Sequence, residues 1–362
     1  MNKDILKKIF RIPNYLSLPV AGLEICNRSI KYVEFSDDNG KPYIKNFGEF
    51  PLPINVVKDG NILNKDVLVK ALVEVKKNLT CDFVKVAIPE EKTYIFDVLL
   101  PKEAKDNIRQ ALEFKIEENV PLKFDESVFE YEIVEKNYSL TDMIVNVSVI
   151  PKRVLADYSE ILDQSNLYPV SFEIESKMIA SSTVDKGNNK NSIILDIKDD
   201  SSILVAVIND NVRLSASISI GENSIIETLN KIETFKNKEV ANDIFNNDFS
   251  FDSIYTKESY LSLINIVSIF KDEVEKFNQY ILNKFPNIRS SKQAVVDRIV
   301  VCGRSASLPG LTKHINQNLK TEITLANTLM NVCDVDDCTS NIKFQEALNY
   351  ATTIGLIVAS QK

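Results

Sequence analysis

The sequence predicts a two-lobed α/β protein with a small α+β block inserted in its first lobe. Three observations carry this prediction. A β-hairpin with an acidic residue near the end of its first strand occurs twice, over residues 20–35 and 192–208. Strand and helix patterns alternate after each hairpin, and a separate block of β and α segments interrupts the first half. A chain of 362 residues, 44% of them hydrophobic, is long enough to bury the cores of such units.

The first part of the first lobe is predicted over residues 19–88. Its hairpin carries Glu24 near the end of the first strand. The third strand stops at Pro51-Leu52-Pro53, because proline cannot donate to a strand ladder. In chain order, the predicted elements are strands over residues 20–25, 30–35 and 43–50, a helix over 65–78 and a strand over 84–88.

The inserted subdomain is predicted over residues 89–168. Its last helix opens with Pro151 in the first turn, where the missing N–H costs no hydrogen bond. The predicted elements are a strand over residues 93–99, a helix over 102–118, strands over 129–134 and 143–150, and a helix over 151–166.

The rest of the chain is predicted to complete both lobes. Residues 169–190 return to the first lobe as a strand, a helix and a linker rich in Gly and Asn. Residues 191–343 form the second lobe, with a polar cap region at about 226–295, and 344–362 form a C-terminal helix that returns to the first lobe. Residues 1–18 contain a short amphipathic segment, which either packs as a start helix or contacts a membrane surface.

Composition and charge exclude several functions. A net charge of −8 and a pI near 5.1 argue against nucleic-acid binding and favour a basic partner. Five scattered cysteines indicate a reducing compartment, and no export signal or apolar run of roughly 20 residues is visible. The segment with Cys333 and Cys338 is more typical of a surface loop than of a zinc site. His314 is the only histidine, so acid–base chemistry that needs a second histidine is not expected.

A third segment could approach a flat ligand. The strand over residues 299–303 ends at Gly303, and a short polar turn leads to Leu308-Pro309-Gly310-Leu311. Glycine at the strand end would let the backbone come close to a group such as an adenosine.

Taken in order, these three segments resemble the phosphate-1, phosphate-2 and adenosine motifs of the actin-like ATPase superfamily. Within it the chain resembles the PilM family of type IV pilus assembly proteins over nearly its whole length. The resemblance implies an actin-like fold with duplicated ribonuclease-H-like lobes, and the inserted block matches the extra subdomain that PilM shares with FtsA. It is carried by Gly22-Leu23-Glu24-Ile25 with Ser29-Ile30-Lys31, Pro51-Leu52-Pro53, Asp59-Gly60, residues 113–121 and Leu308-Pro309-Gly310-Leu311.

The resemblance also implies a site for ATP and Mg. Asp196 and Glu24 would hold the metal ion if ATP binds. The implied nucleotide-binding residues are Glu24, Asn27, Arg28, Ser29 and Lys31 (phosphate-1), Asp196, Lys198 and Ser201 (phosphate-2), and Gly303, Arg304 and Ser305 (adenosine).

The hairpins depart from the family pattern. Cys26 and Lys198 stand where glycines are usual, and a residue with a Cβ costs roughly 1–2 kcal/mol in a left-handed backbone, so the turns are either strained or differently shaped. Asp199 and Asp200 would repel an anionic ligand, which Lys31 and Lys198 partly offset. We therefore expect a degenerate ATP site with weak or absent hydrolysis; the alternative is that Glu24 and Asp196 are simply polar strand ends.

By this resemblance, the expected function is a cytoplasmic scaffold at the inner face of the membrane. It would bind the N-terminal cytosolic peptide of a PilN-like membrane protein between the first lobe and the inserted subdomain. Other pilus platform and motor proteins, and homo-oligomers, are further expected partners, with membrane association indirect and no nucleic acid. The alternatives are an active Mg-ATP switch of the same machine and an FtsA-like cell-division protein.

Overall fold

A computed structural model describes most of the chain. The described residues are 19–38, 41–135, 139, 141–185, 187, 190–231, 257–285, 296–307, 311–316, 321–332 and 341–359. The predicted amphipathic segment at 1–18, half of the polar cap region (232–256 and 286–295), the turn at 308–310 and the cysteine pair at 333 and 338 lie outside them.

The strand and helix bounds follow the chain order. The strands are β1 (Ala21–Ile25), β2 (Ser29–Asp38), β3 (Lys41–Pro51), β4 (Val57–Lys58), β5 (Asn61–Ile62), β6 (Phe83–Ile88), β7 (Tyr94–Pro101), β8 (Ser127–Glu135), β9 (Asp142–Pro151), β10 (Tyr168–Ile174), β11 (Ser192–Ile197), β12 (Ser202–Ile208), β13 (Asn211–Ile218), β14 (Arg298–Cys302) and β15 (Glu322–Leu325). The α-helices are α1 (Lys65–Asn78), α2 (Ile108–Asn119), α3 (Lys152–Gln164), α4 (Glu175–Thr183), α5 (Glu222–Lys231), α6 (Lys257–Lys284), α7 (Leu311–Ile315), α8 (Phe344–Ala347) and α9 (Ala351–Val358).

The two lobes are built on sheets of the same design. The first sheet has the order β10-β6-β1-β2-β3 and the second the order β13-β12-β11-β14-β15. In each, a hairpin with a third antiparallel strand lies beside two parallel strands. Strands β1, β11 and β12 are buried along their whole length, which explains why they read as continuous apolar runs. The repeated hairpin therefore marks a repeated lobe.

The inserted subdomain has a core of its own. Its sheet has the order β7-β9-β8, and α2 covers one face with Ile108, Leu112 and Ile116. These side chains pack with Phe129 and Val145 of the sheet in a cluster that is separate from the main core. The opposite face of this sheet is free of that helix.

Helix α3 differs from the expected domain boundary. The sequence places the inserted subdomain at 89–168, but Tyr158, Ile161 and Leu162 of α3 belong to the main core, and α3 contacts α1 of the first lobe. The reason is the apolar stripe of α3, which faces the first lobe rather than the small sheet. By packing, α3 joins the main core and not the core of the small subdomain.

The C-terminal helix returns to the first lobe. All residues of α9 are buried, and the helix packs on α4 and β1. A Cβ on Gly355 would overlap the carbonyl oxygen of Met178 in α4, so this contact needs glycine. Among the described residues, no helix is both long and apolar enough to span a membrane.

Candidate functional site

The two hairpin turns meet at a cleft between the lobes. The turn after β1 faces the turn after β11, as the ion pair between Arg28 and Asp200 shows. The cleft holds about 310 Å³ of space, part of it open to solvent. Its lining residues are Ile25, Cys26, Asn27, Gly60, Pro89, Glu91, Lys198, Asp199, Asp200 and Ser201.

Glu24 is buried at the end of β1 and is held as a carboxylate. Its Oε1 lies 3.1 Å from the Lys198 Nζ, and the Cys26 thiol donates to the same oxygen at 3.3 Å. Burial by itself would raise the pKa of Glu24, but the positive charges of Lys198 and Lys31 outweigh it and lower the pKa to about 2. Lys31 is also buried and donates to Asn349 Oδ1 at 2.8 Å.

Lys198 reaches across the cleft from the second lobe to the first. Besides Glu24, its ammonium contacts the carboxylate of Glu175, the first residue of α4. Burial raises the pKa of Glu175 well above its usual range, and the nearby charge of Glu24 adds to this, while Lys198 opposes it. The side chain of Asp196 is buried as well, and burial raises its pKa to about 6. Three acidic groups thus surround one lysine.

The glycine positions of both turns have ordinary backbones. Among the described residues, positive φ values at residues other than glycine occur only elsewhere, for example at Asn55 and Asp59, so neither Cys26 nor Lys198 is left-handed. Each turn closes through one backbone bond, from Cys26 N to Ser29 O at 2.8 Å and from Lys198 N to Ser201 O at 3.0 Å. Of the two outcomes expected from the sequence, the turns adopt a different shape and avoid the strain.

The tips of the turns bind each other directly. Arg28 pairs with Asp200 at 2.7 Å, and the Ser29 hydroxyl lies 3.5 Å from Asp199 Oδ2. Asp200 also accepts a hydrogen bond from Asn223 of α5 at 2.7 Å. Asp199 and Asp200, which the sequence predicts to repel an anionic ligand, are thereby engaged with side chains of the protein.

The other residues of the turns bond to neighbouring segments. Asn27 Oδ1 accepts from the Asp59 N–H at 2.9 Å. Ser201 donates to Glu91 Oε1 at 3.3 Å. These contacts tie both turns to loops of the first lobe, so all eight phosphate-site residues predicted from the sequence come together around the cleft.

The three predicted adenosine residues lie apart from that cleft lining. Gly303 has a φ of 89°, and a Cβ there would overlap the carbonyl oxygen of Ile197 on the neighbouring strand. Ser305 donates to Glu222 at 3.1 Å, and Arg304 lies 3.9 Å from the same carboxylate. In the structure the glycine allows a close approach of two protein strands, whereas the sequence suggested the approach of a ligand.

Glu175 and Glu91 are site residues that sequence reasoning missed. Glu175 directly follows β10. Strands β10 and β1 both run parallel to β6, which lies between them, so all three strands end at the same edge of the first sheet. Carboxyl ends of parallel strands meet at one edge of a sheet, so a glutamate directly after β10 was a usable signal. Glu91 lies in a single 3-10 turn, Glu90–Lys92, and no local pattern distinguishes it.

A second candidate site is an acidic surface on the inserted sheet. The face opposite α2 carries Glu130 and Glu132, as the pairing of these residues with Ser148 and Asn146 shows. Lys177 of α4 lies between these carboxylates and Glu173 of β10; burial lowers its pKa, and the three glutamates oppose that shift. The open face of the inserted sheet therefore carries an acidic surface, whose Glu130 and Glu132 lie close enough to Lys177 of the first lobe to act on its charge.

The acidic surface also offers free strand edges and apolar side chains. Among the described strands, β8 and β10 each pair on one side only. Two apolar side chains on these edge strands are exposed, Val128 on β8 and Val170 on β10. Free edges with apolar and acidic side chains suit an extended peptide that carries apolar and basic residues.

A metal centre is not preformed in the described part of the chain. There, no group of three or more His, Cys, Asp or Glu side chains is arranged to hold a metal ion. Glu24 and Asp196, predicted to hold magnesium, both lie near Lys198.

Comparison with known proteins identifies the relatives of this chain. The family model described as type IV pilus assembly protein PilM matches residues 22–361. A PilM-PilN type IV pilus biogenesis complex matches with a TM-score of 0.73 at 16% identity, covering 95% of this chain and 99% of that one. MreB5 of Spiroplasma citri bound to ADP matches with a TM-score of 0.56 at 11% identity, covering 95% and 97%.

A further structural neighbour is the ethanolamine utilization protein EutJ from Carboxydothermus hydrogenoformans. It matches with a TM-score of 0.53 at 13% identity, covering 93% of this chain and 88% of that one. At these identities the structural neighbours establish the fold, which is actin-like as the sequence predicts. No match is found among the curated proteins.

Proposed function

The chain belongs to the type IV pilus assembly protein PilM family, and we propose that it is a cytoplasmic scaffold of the pilus inner-membrane platform. Its ligand is the N-terminal cytosolic peptide of a PilN-like membrane protein. The observation that carries this proposal is the acidic surface formed by Glu130, Glu132 and Glu173 beside the edge strands β8 and β10. The structural neighbour named as a PilM-PilN complex supports the choice of partner.

Charge and edge geometry define the peptide that fits. Strand addition to β8 or β10 would satisfy the main chain of the peptide, and the exposed apolar side chains would pack against alternate residues. Basic residues of the peptide would face Glu130 and Glu132, which raises the association rate and fixes the register. Contacts with other platform and motor proteins, and homo-oligomer formation, stay predictions.

The test is a titration of the full chain with the synthetic N-terminal PilN peptide from the same genome, followed by fluorescence anisotropy. We expect the double substitution Glu130→Lys and Glu132→Lys to weaken binding by about 10-fold or more, because each reversed charge costs on the order of 1 kcal/mol. Glu322→Lys, an exposed glutamate on β15 in the other lobe, is the matched control and leaves the affinity unchanged. Absence of binding to the wild type at high micromolar peptide would refute the proposal.

The nucleotide site is the second part of the proposal. The meeting of both hairpin turns at one cleft supports an inherited ATP site, and the direct pairing of Arg28 with Asp200 supports its being degenerate. The alternative of a working Mg-ATP switch predicts a rise in melting temperature with millimolar Mg-ATP, since a ligand that binds only the folded state stabilises it. A flat response removes that alternative. The family match favours the pilus role over an FtsA-like division protein.

A further inference from the structure

One lysine side chain joins the two lobes at the centre of the cleft. Lys198 stands on the second lobe, whereas its two carboxylate partners, Glu24 and Glu175, stand on the first. All three side chains are shielded from solvent, with 12% of the lysine side chain and 4% or less of each carboxylate exposed. Taking away the ammonium would leave the buried Glu175 without its cation and Glu24 with Lys31 alone, which is strongly unfavourable.

The position of this ammonium is incompatible with a magnesium ion on the same carboxylates. Magnesium binds oxygen ligands at about 2.0–2.1 Å in near-octahedral geometry. The Lys198 Nζ already lies 3.1 Å from Glu24 Oε1 and contacts Glu175, so it fills the space where both oxygens could reach a metal. Glu24, one of the two predicted magnesium ligands, therefore does not fit magnesium while Lys198 is present.

Carboxylates of the protein also occupy the place of the phosphate groups of a nucleotide. At the turn tips Arg28 pairs with Asp200, and Ser29 faces Asp199. Basic and hydroxyl side chains of a phosphate turn would otherwise bind phosphate oxygens. Here carboxylate oxygens of the opposite turn take that place.

We propose that the cleft is self-liganded: Lys198 replaces the divalent cation, and Asp199 and Asp200 replace the phosphate oxygens that Ser29 and Arg28 would bind. The lobes are then held closed by the protein itself, without a metal or a nucleotide. This inference deepens the proposed degenerate site and rests on it. The test of the self-liganded cleft uses no peptide, so a negative result would not contradict the scaffold role. Conversely, a failure of peptide binding would not contradict the self-liganded cleft.

The experiment measures the melting temperature of the full chain in EDTA and with millimolar MnCl₂ or MgCl₂ alone. We expect the wild type to show no shift. Lys198→Ala is expected to melt lower in EDTA and to regain about 2–4 °C or more with MnCl₂, because the vacated space then admits a metal between Glu24 and Glu175. Adding Glu24→Gln and Glu175→Gln to this variant abolishes the metal response.

Two controls isolate the role of the ammonium. Lys198→Arg keeps a cation at the site and is expected to stay insensitive to metal. Lys85→Ala removes a half-buried lysine of β6 and is also expected to give no metal response.

Two outcomes would overturn the proposal. One is a metal-dependent shift in the wild type that Glu24→Gln removes. The other is a folded Lys198→Ala variant that ignores MnCl₂. Should Lys198→Ala fail to fold under all conditions, Mn²⁺ titration of the wild type by electron paramagnetic resonance decides: no binding sensitive to Glu24→Gln supports the proposal, and such binding refutes it.

Discussion

At the scale of single residues, the same amino acid serves different needs in different places. Gly303 and Gly187 both have positive φ values, of 89° and 77°. A Cβ on Gly303 would overlap the Ile197 carbonyl oxygen, whereas a Cβ on Gly187 would meet no atom within 4 Å. Gly303 is therefore required by backbone conformation and by packing, and Gly187 by conformation alone.

This difference predicts unequal costs for one substitution. Gly303→Ala should lower the free energy of unfolding by more than about 2 kcal/mol, because a steric overlap adds to the backbone strain. Gly187→Ala should cost only about 1–2 kcal/mol, the strain of a left-handed alanine. Urea denaturation of both variants measures the difference, and equal costs would show that strand packing at Gly303 is not the constraint.

At the scale of elements, one buried ion pair fastens the inserted sheet to the second lobe. Arg213 of β13 contacts Asp97 of β7 through two nitrogens, at 2.5 and 2.8 Å, and its guanidinium lies 5.1 Å from the ring centroid of Phe285. Asn146 of β9 donates to the other oxygen of Asp97 at 2.8 Å. The inserted sheet is therefore held to the second lobe at β7, whereas Glu130 lies on β8 at the other edge of the sheet.

We expect Asp97→Asn to destabilise the protein by about 3–5 kcal/mol, because it leaves the buried Arg213 without its counter-charge. The double substitution Asp97→Asn with Arg213→Met should recover part of this loss, since no charge then stays buried and unpaired. A double-mutant cycle on urea denaturation gives the coupling energy. Additive effects of the two single substitutions would contradict the coupling.

At the scale of the whole molecule, the inserted subdomain has a buried cluster that is distinct from the main one. The main cluster joins both lobes through β1, β11 and α1 and takes in Ile95 and Ile150 of the inserted strands, whereas the cluster under α2 shares no residue with it. Local opening follows contiguous packed units, so the inserted subdomain is expected to open on its own.

Two leucines with no exposed surface test this independence. Leu112→Ala in α2 and Leu68→Ala in α1 should each cost about 2–5 kcal/mol in their own core. Native-state hydrogen exchange should show lost protection confined to β7–β9 and α2 for Leu112→Ala, with β11 and β12 unchanged. Leu68→Ala should lower protection in the main core instead, and a uniform loss in both variants would mean that the two cores open together.

The sequence by itself determined the type and order of most elements and the duplication of the lobes. Strand and helix periods depend on which face of a segment is buried, and the repeated hairpin is visible as a local pattern. The placement of α3 could not be predicted from its period, because an apolar stripe packs equally well on the small sheet or on the first lobe. Only the tertiary structure shows that Tyr158 faces the first lobe.

The chemistry of the cleft was decided by the tertiary structure. The sequence alone marks Glu24 and Lys198 as departures from the family pattern and Asp196 as a match to it, each within its own hairpin. Only the folded chain shows that Lys198 crosses to Glu24 and Glu175, and that Arg28 meets Asp200. These partners are far apart in sequence, so their pairing depends on how the two lobes face each other, which no local period encodes.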